Sequence, residues 1–206
     1  MATQVETLSR GTLATAPVVC RDCVWWQSRA GRNTDKAKWI ERVEDGPGTW
    51  GTVYRDGDGR LLGSMQYGDA HLFPRAAELP AGPPSLDAVL VTCAYLVDRS
   101  SPWVMQSLFL AAIGEARERG ASAVEAFAYR YPEGETAYER FQVHKTVFPR
   151  DFLSDFGFRT VRVAGRVELA RLDLGGLQPV VEGRRAHVLR IVREAFFPQP
   201  VPAPRP

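Results

Sequence analysis

The sequence predicts an α+β protein built on a mixed β-sheet. A nearly unbroken apolar run over 88–97 is typical of a strand buried on both faces. An amphipathic helical pattern over 104–120 and a short apolar strand over 123–129 follow it. A crossover of this kind makes its two strands parallel. With antiparallel strands before it and a hairpin after it, the chain forms one mixed sheet with helices on its faces.

The segment before the crossover predicts three strands and a short helix. Residues 18–26 are rich in β-branched and aromatic side chains, which favours a first strand. Residues 36–43 carry apolar side chains at the spacing of one helix face. Residues 50–55 and 61–67 flank Asp-Gly-Asp-Gly at 56–59, which is a hairpin signal.

The segment after the crossover predicts a further hairpin and two helices. Residues 129–146 form a polar, aromatic insertion, and 151–156 form a short helix that ends at a glycine. Strands over 159–163 and 167–173 make a terminal hairpin. Residues 184–197 repeat apolar side chains at helical spacing, which predicts a second amphipathic helix.

The domain organisation follows from length and composition. A chain of 206 residues is long enough for one domain with a sizeable core. Residues 1–17 carry no strong pattern and are predicted to be a flexible N-terminus. Residues 18–197 form the domain, and 198–206 are rich in proline, which predicts an extended, disordered tail.

Composition also limits the classes of partner. The net charge is +2 with no basic block, which disfavours nucleic acid as a partner. The apolar runs are shorter than the roughly 18 residues of a membrane span, and the N-terminus lacks the apolar core of a signal peptide. Three cysteines suit a reducing compartment better than a disulfide framework. We therefore expect a cytoplasmic protein.

Three segments resemble the GCN5-related N-acetyltransferase family. They are the strand VLVTCAYL, the helix end EARERGASAVEA and the later segment PRDFLSDFGFRTV. The resemblance covers roughly residues 18–173. It implies a single-domain fold whose mixed central sheet contains a splayed parallel strand pair, with helices on both faces. It also implies transfer of an acetyl group from acetyl-CoA to an amine.

The resemblance assigns the cofactor site to the end of the first parallel strand and the start of the long helix. The pantetheine arm would bind the main chain of Cys93, Ala94, Tyr95, Leu96 and Val97. The pyrophosphate would bind Arg99, Ser100, Ser101, Trp103, Val104, Met105 and Gln106. The family loop begins with Arg or Gln and carries two small residues, which let backbone N–H groups approach the pyrophosphate. Here Ser100 stands at the first position, and Trp103 and Met105 stand at the glycine positions.

Asp87 and Tyr129 are the candidate catalytic residues. The amine must lose a proton, and a carboxylate often accepts it. Asp87 is the nearest carboxylate on the central strand, although it lies two residues before the position of a glutamate in some family members. The family tyrosine that protonates the leaving thiolate corresponds to Leu153, which cannot donate a proton. Tyr129 and Tyr131 lie just past the second parallel strand, where a tyrosine can point into the cleft and take a chemical role. The alternative for Asp87 is a solvated residue at the start of the strand, and the alternative for the tyrosines is partial burial without a chemical role.

Two further groups of residues are open to more than one interpretation. Cys20 and Cys23 have metal-ligand spacing, but no second pair accompanies them, so we predict no metal site. The early tryptophans would either shape an acceptor pocket or pack in the core and in a homodimer interface. These tryptophans are Trp25, Trp26, Trp39 and Trp50.

Three functions remain open at this point. The first is an N-acetyltransferase that uses acetyl-CoA and acts on a small-molecule or protein amine. The second is a non-catalytic binding protein of the same fold that has lost normal CoA binding, since fold does not fix function. The third retains catalysis but takes the acyl group from a carrier-protein thioester, because pantetheine alone fits the strand gap.

Overall fold

The computed structural model describes residues 4–29, 34–46, 49–97, 102–131 and 147–176. The chain divides into two compact units, Met1–Gly175 and Gly176–Pro206, and every element described below belongs to the first. Several predicted features lie outside the described residues. They are the loop residues Arg99, Ser100 and Ser101, most of the 129–146 insertion, the 184–197 helix and the 198–206 tail.

Within the described ranges, eight strands form one mixed sheet, so the predicted α+β class is confirmed. The strands lie in the order β1-β2-β3-β4-β5-β8-β7, and β6 pairs with β5 outside this path. Their bounds are β1 Gln4–Thr7, β2 Gly51–Arg55, β3 Leu61–Asp69, β4 Ala88–Leu96, β5 Ala123–Tyr129, β6 Phe148–Pro149, β7 Arg159–Ala164 and β8 Val167–Asp173.

Helices lie on both faces of the sheet. They are α1 Val18–Arg21, α2 Lys36–Glu44, α3 Pro102–Glu118 and α4 Arg150–Asp155. The core on one face joins residues of α3 and α4 to the sheet, and the core on the other face contains the buried side of α2. The carboxylate of Asp35 caps α2, because it accepts hydrogen bonds from the backbone N–H groups of Ala37 and Lys38.

The central crossover is as predicted. Strand β4 pairs in parallel with β5, and α3 connects them. Gly120 ends the helix segment with a φ of 75°, which is the left-handed conformation expected of a helix-closing glycine. The two hairpins, β2–β3 and β7–β8, are also antiparallel pairs at the predicted places.

The predicted first strand over 18–26 is wrong. Residues 18–21 form the single turn of α1, and Trp26 is buried in the second core rather than in a strand. The exposed Asp22 and Cys23 follow that turn and interrupt the apolar run. The outer position in the sheet belongs to β1, so residues 4–16 do not have the weak order expected of a flexible N-terminus. Strand β1 pairs with β2, and Leu8 and Ala16 are buried.

Close approach of α3 to the sheet depends on a glycine in β3. A Cβ atom at Gly63 would lie 2.8 Å from the carbonyl oxygen of Tyr95 and 3.0 Å from Cγ1 of Val104. Both distances are shorter than ordinary van der Waals contact. The absence of a side chain therefore lets the first turns of α3 pack directly over β3 and β4.

Candidate active site

The two parallel strands separate halfway along their length. Residues Ala88 to Val91 of β4 pair with Ala123 to Ala126 of β5, and the pairing stops there. At the same point β4 has one extra residue, Thr92, opposite β3. The Thr92 hydroxyl donates a 3.0 Å hydrogen bond to the carbonyl of Gln66 and holds this bulge in place. A bulge bends and twists its strand, so β4 diverges from β5 and a gap opens.

The edge of β4 that faces this gap carries backbone groups without a strand partner among the described residues. The N–H of Val97 donates to the carbonyl of Leu62 in β3. Because backbone groups alternate in direction along an antiparallel strand, those of Cys93 and Tyr95 also point to β3. Those of Ala94 and Leu96 therefore point into the gap. Across the gap from β4, strand β6 pairs with Ala128 and Tyr129 of β5.

The N-terminus of α3 lies over this end of the sheet. The helix begins at Pro102, so the N–H groups of Trp103 and Val104 have no partner within the helix. The side chains of Val104 and Met105 are buried in the core, so at most their backbones can contact a ligand. Proline in the first turn has no N–H to satisfy and suits this position.

The ring of Trp103 lies away from the gap. It packs edge-on against Tyr54 of β2, with 5.6 Å between ring centroids, and it is partly exposed. Strands β3 and β4 separate β2 from the gap, and neighbouring strands lie about 4.8 Å apart. Trp103 therefore does not occupy the space between β4 and β5, despite its place in the sequence pattern.

This topology is the one that the sequence resemblance implies. Antiparallel strands come first, a parallel pair joined by a long helix splays in the middle, and a hairpin closes the sheet. The chain has the fold of the GCN5-related N-acetyltransferases. In the described residues no helix has the length and apolar character needed to cross a membrane.

Solved structures similar to this chain include several acetyltransferases. A GCN5-related N-acetyltransferase from Kribbella flavida is 16% identical, with a TM-score of 0.49 over 84% of this chain and 98% of that one. The PaiA N-acetyltransferase of Thermoplasma acidophilum, in complex with coenzyme A, is 15% identical, with a TM-score of 0.48 over 84% and 99%. YncA of Salmonella typhimurium, a putative acetyltransferase with its cofactor acetyl-CoA, is 14% identical, with a TM-score of 0.48 over 88% and 99%. No family model matches the chain, and no curated protein matches it.

An apolar pocket opens on the face of β4 opposite α3, and we call it the β4 pocket. Its volume is about 140 Å³. Its lining comes from β3, β4 and the N-terminal segments and consists of Leu8, Val19, Cys20, Cys23, Trp50, Ser64, Met65, Gln66, Cys93, Ala94 and Tyr95. The pocket thus meets the strand to which the resemblance assigns the pantetheine arm.

Lys36 lies beside the β4 pocket. Its ammonium donates a 3.0 Å hydrogen bond to the carbonyl of Cys23 and lies 4.8 Å and 5.1 Å from the ring centroids of Trp39 and Trp50. Burial lowers the pKa of Lys36 below its ordinary value of 10.5, although the nearby thiol of Cys93 opposes part of this effect. A larger fraction of this amine is therefore neutral near physiological pH than for an exposed lysine.

The thiol of Cys93 is a poor nucleophile in this site. Burial, with a smaller contribution from Cys20, raises the pKa of Cys93 to about 12. Because the thiolate is the reactive form of cysteine, Cys93 remains a neutral thiol near pH 7. The resemblance implicates only its main chain, which points to β3 rather than into the gap.

Asp87 lies far from the gap. It precedes β4 at the end where β4 and β5 are still paired, and its carboxylate binds Arg171 at 2.8 Å. The hydrogen bond from Arg171 holds the pKa of Asp87 below its usual range. An exposed carboxylate with a lowered pKa is a weak base, so its position and its chemistry both argue against the predicted role.

Tyr129 is closer to the gap than Asp87. It is the last residue of β5, half-buried, and its ring makes an edge contact with Tyr131 at 4.9 Å. Its side chain lies on the same sheet face as Phe127, because side chains alternate along a strand. It does not line the β4 pocket.

Three of the four early tryptophans pack in the core. Trp26, Trp39 and Trp50 are buried, whereas Trp25 is partly exposed. Trp39 meets Trp50 edge-on at 5.7 Å, and Trp26 stacks on Phe127 at 6.0 Å. Trp50 also lines the β4 pocket, so core packing and pocket formation are combined in one residue.

The structure also brings all three cysteines to one pocket, although they are distant in sequence. In the part of the chain that the structure describes, no group of three or more His, Cys, Asp or Glu side chains is placed to hold a metal ion. Sequence reasoning missed Lys36, because its burial arises from Trp39, Trp50 and Cys23, which lie in three different segments.

Proposed function

We propose that this protein is an acyl-CoA-dependent N-acyltransferase that transfers an acetyl group to a primary amine. The observation that carries the proposal is the gap between β4 and β5. Along its β4 edge, the backbone groups of Ala94 and Leu96 have no strand partner among the described residues, and the first N–H groups of α3 lie beside it. A pantetheine arm carries amide groups that can pair with such an edge in the manner of an added strand.

The reaction in this site is direct transfer. The amine nitrogen attacks the thioester carbon, the tetrahedral intermediate collapses, and the C–S bond breaks to release the CoA thiolate. A backbone N–H that points into the gap stabilises the negative charge on the carbonyl oxygen. The raised pKa of Cys93 favours this route over an acyl-cysteine intermediate. Holding amine and thioester together supplies much of the rate enhancement.

Lys36 is the proposed proton acceptor. The attacking amine must be neutral, and it loses a second proton once the new bond forms. Lys36 lies beside the β4 pocket and has a pKa lowered by burial, so its neutral form is more accessible than that of an exposed lysine. The leaving thiolate takes up one proton, for which Tyr129 at the end of β5 is the candidate donor. Lys36 then releases its proton to solvent, and Tyr129 regains one from solvent.

The β4 pocket is the proposed acceptor site. Its volume of about 140 Å³ is comparable to a cavity that holds one benzene ring. The lining is apolar apart from Ser64, Gln66, Tyr95 and the thiols. These dimensions favour a small aliphatic or aromatic amine, or the end of a lysine side chain, over a polar or bulky acceptor.

Calorimetric titration tests this proposal and separates it from its alternatives. We expect acetyl-CoA to bind more tightly than acetyl-pantetheine, because the nucleotide and pyrophosphate add contacts at α3. Equal affinity for the two would favour a carrier-protein thioester as donor. Failure of both to bind would favour the non-catalytic function. A Trp103→Ala variant should bind acetyl-CoA within about twofold of the wild type, since its ring packs on Tyr54 outside the gap.

A further inference from the structure

A second cavity, larger than the β4 pocket, lies between α2 and the turn after β3. Its volume is about 450 Å³. Its lining consists of Gln27, Arg29, Thr34, Trp39, Arg42, His71, Leu72 and Pro74. We call it the α2 cavity. We propose that it binds a small oxyanion, either a carboxylate or a phosphate, that also offers a hydrogen-bonding group to Gln27.

The charge of the α2 cavity points to an anion. Arg29 and Arg42 are exposed at its rim beside His71, and none of the described lining residues is acidic. Neither arginine forms an ion pair within the described ranges. By contrast, Arg10 on the neighbouring segment pairs with Glu41 at 3.0 Å. Guanidinium groups bind carboxylate and phosphate through paired N–H donors, so two free ones at one opening suit an oxyanion.

The wall of the cavity contains an unsatisfied amide. Gln27 is only 3% exposed, yet neither its side-chain nitrogen nor its side-chain oxygen has a hydrogen-bond partner among the residues that the structure describes. Leaving a buried polar group unpaired is costly, and native proteins do so rarely. An amide has both a donor and an acceptor, so a hydroxy acid or a phosphate monoester could satisfy it where a halide could not.

The surrounding contacts hold Gln27 at this position. The Thr34 hydroxyl donates to the backbone carbonyl of Gln27 at 3.1 Å, and the N–H of Ser28 donates to the carbonyl of Val24 at 2.9 Å. The indole N–H of Trp39 is already bound to the carbonyl of Leu72 at 2.9 Å. Trp39 therefore contributes a flat apolar wall, and among the described lining residues the polar groups left for a ligand are those of Gln27 and the rim.

The α2 cavity is separate from the proposed acyl-transfer site. Trp39 lines the α2 cavity and Trp50 lines the β4 pocket, and the two rings meet at 5.7 Å. The two sites thus lie on opposite sides of one aromatic pair. An anion bound to Arg29 and Arg42 would not occupy the gap between β4 and β5, so its binding can be measured without a thioester.

Calorimetry and thermal unfolding of the full chain with two probes test the proposal. Citrate presents carboxylates with a hydroxyl, and inorganic phosphate presents a phosphate, both at constant ionic strength. We expect saturable binding of at least one probe and a rise in the melting temperature. Tighter citrate binding identifies a carboxylate ligand, and tighter phosphate binding identifies a phosphate ligand.

Three variants decide whether the α2 cavity is the site. Arg42→Gln should weaken the affinity for the bound probe about tenfold or more. Arg117→Gln removes the same charge from the exposed surface of α3 and should leave that affinity unchanged. Gln27→Met should weaken binding while raising the melting temperature of the unliganded protein, because it removes the unpaired amide. Equal losses in Arg42→Gln and Arg117→Gln, or no saturable binding of either probe, would overturn the proposal. Acetyl-CoA affinity should be unchanged in Arg42→Gln, which keeps this test independent of the acyl-transfer proposal.

Discussion

At the scale of single residues, burial changes the chemistry of Lys36. The side chain emerges from the first turn of α2, and its ammonium is enclosed by two tryptophan rings and one backbone carbonyl. Cation–π contacts and one hydrogen bond replace only part of its hydration. The charged form is therefore disfavoured in the folded protein relative to the unfolded chain, where the lysine is fully hydrated.

This difference predicts a pH dependence of stability. Because the folded-state pKa of Lys36 is lowered, the unfolded chain binds more protons between that pKa and 10.5. The free energy of unfolding should therefore rise with pH across this window. We expect Lys36→Met to lose that rise in urea unfolding measured at a series of pH values. The exposed Lys38→Met is the control and should follow the wild type. A wild-type slope that Lys36→Met leaves unchanged would show that Lys36 is not desolvated.

At the scale of secondary structure elements, the position of α3 determines the candidate cofactor site. The helix contacts β3 through Gly63, and Tyr67 of β3 donates a hydrogen bond to Glu115 near the other end of the helix. Arg119 forms an ion pair with Glu115 and donates a 3.0 Å hydrogen bond to the carbonyl of Thr49. These contacts fix the helix at both ends, so the N–H groups of its first turn keep their place beside the gap.

Two alanine substitutions test the contact at Gly63. Gly63→Ala places a methyl group against the carbonyl of Tyr95 and against Val104. We expect a loss of about 1–3 kcal/mol in the free energy of unfolding and weaker acetyl-CoA binding, because α3 must move outward. Gly114→Ala, in the same helix, meets nothing within 4 Å and should stabilise the protein by about 0.5–1 kcal/mol. A Gly63→Ala variant as stable as the wild type would show that the packing of α3 does not depend on this close contact.

The elements that the sequence predicts well are those with a local pattern. The crossover strands and both hairpins have continuous apolar runs or turn residues, which need no knowledge of partners. Strand β1 has only four residues, and its Val5 is exposed, so it lacks a hydrophobic period. The bulge at Thr92 is equally hidden, because an extra residue exists only relative to the partner strand. The gap depends on that bulge. The β4 pocket depends on Cys20 and Trp50, which are distant from β4 in the chain.

At the scale of the whole molecule, the N-terminal segment is part of the sheet. The carbonyl of Glu6 accepts a 3.0 Å hydrogen bond from Thr52, and its carboxylate lies 3.3 Å from Nε of Arg55. The guanidinium of Arg55 also donates to the carbonyl of Thr15 at 3.3 Å. Leu8 is buried in the second core and lines the β4 pocket. This segment therefore supports both the fold and the proposed acceptor site.

Removal of residues 1–9 tests that role. The deletion removes β1 and Leu8, and burial of one leucine contributes about 1.5–3 kcal/mol. For a chain of this size we expect the melting temperature to fall by about 4–10 °C. The newly exposed edge of β2 should also promote aggregation, because its backbone groups lose their partner. Deletion of residues 1–3, which precede β1, is the control and should leave both properties unchanged. An unaltered melting temperature after removal of 1–9 would mean that β1 adds no stability, as the sequence alone suggested, and that β2 is a stable edge without it.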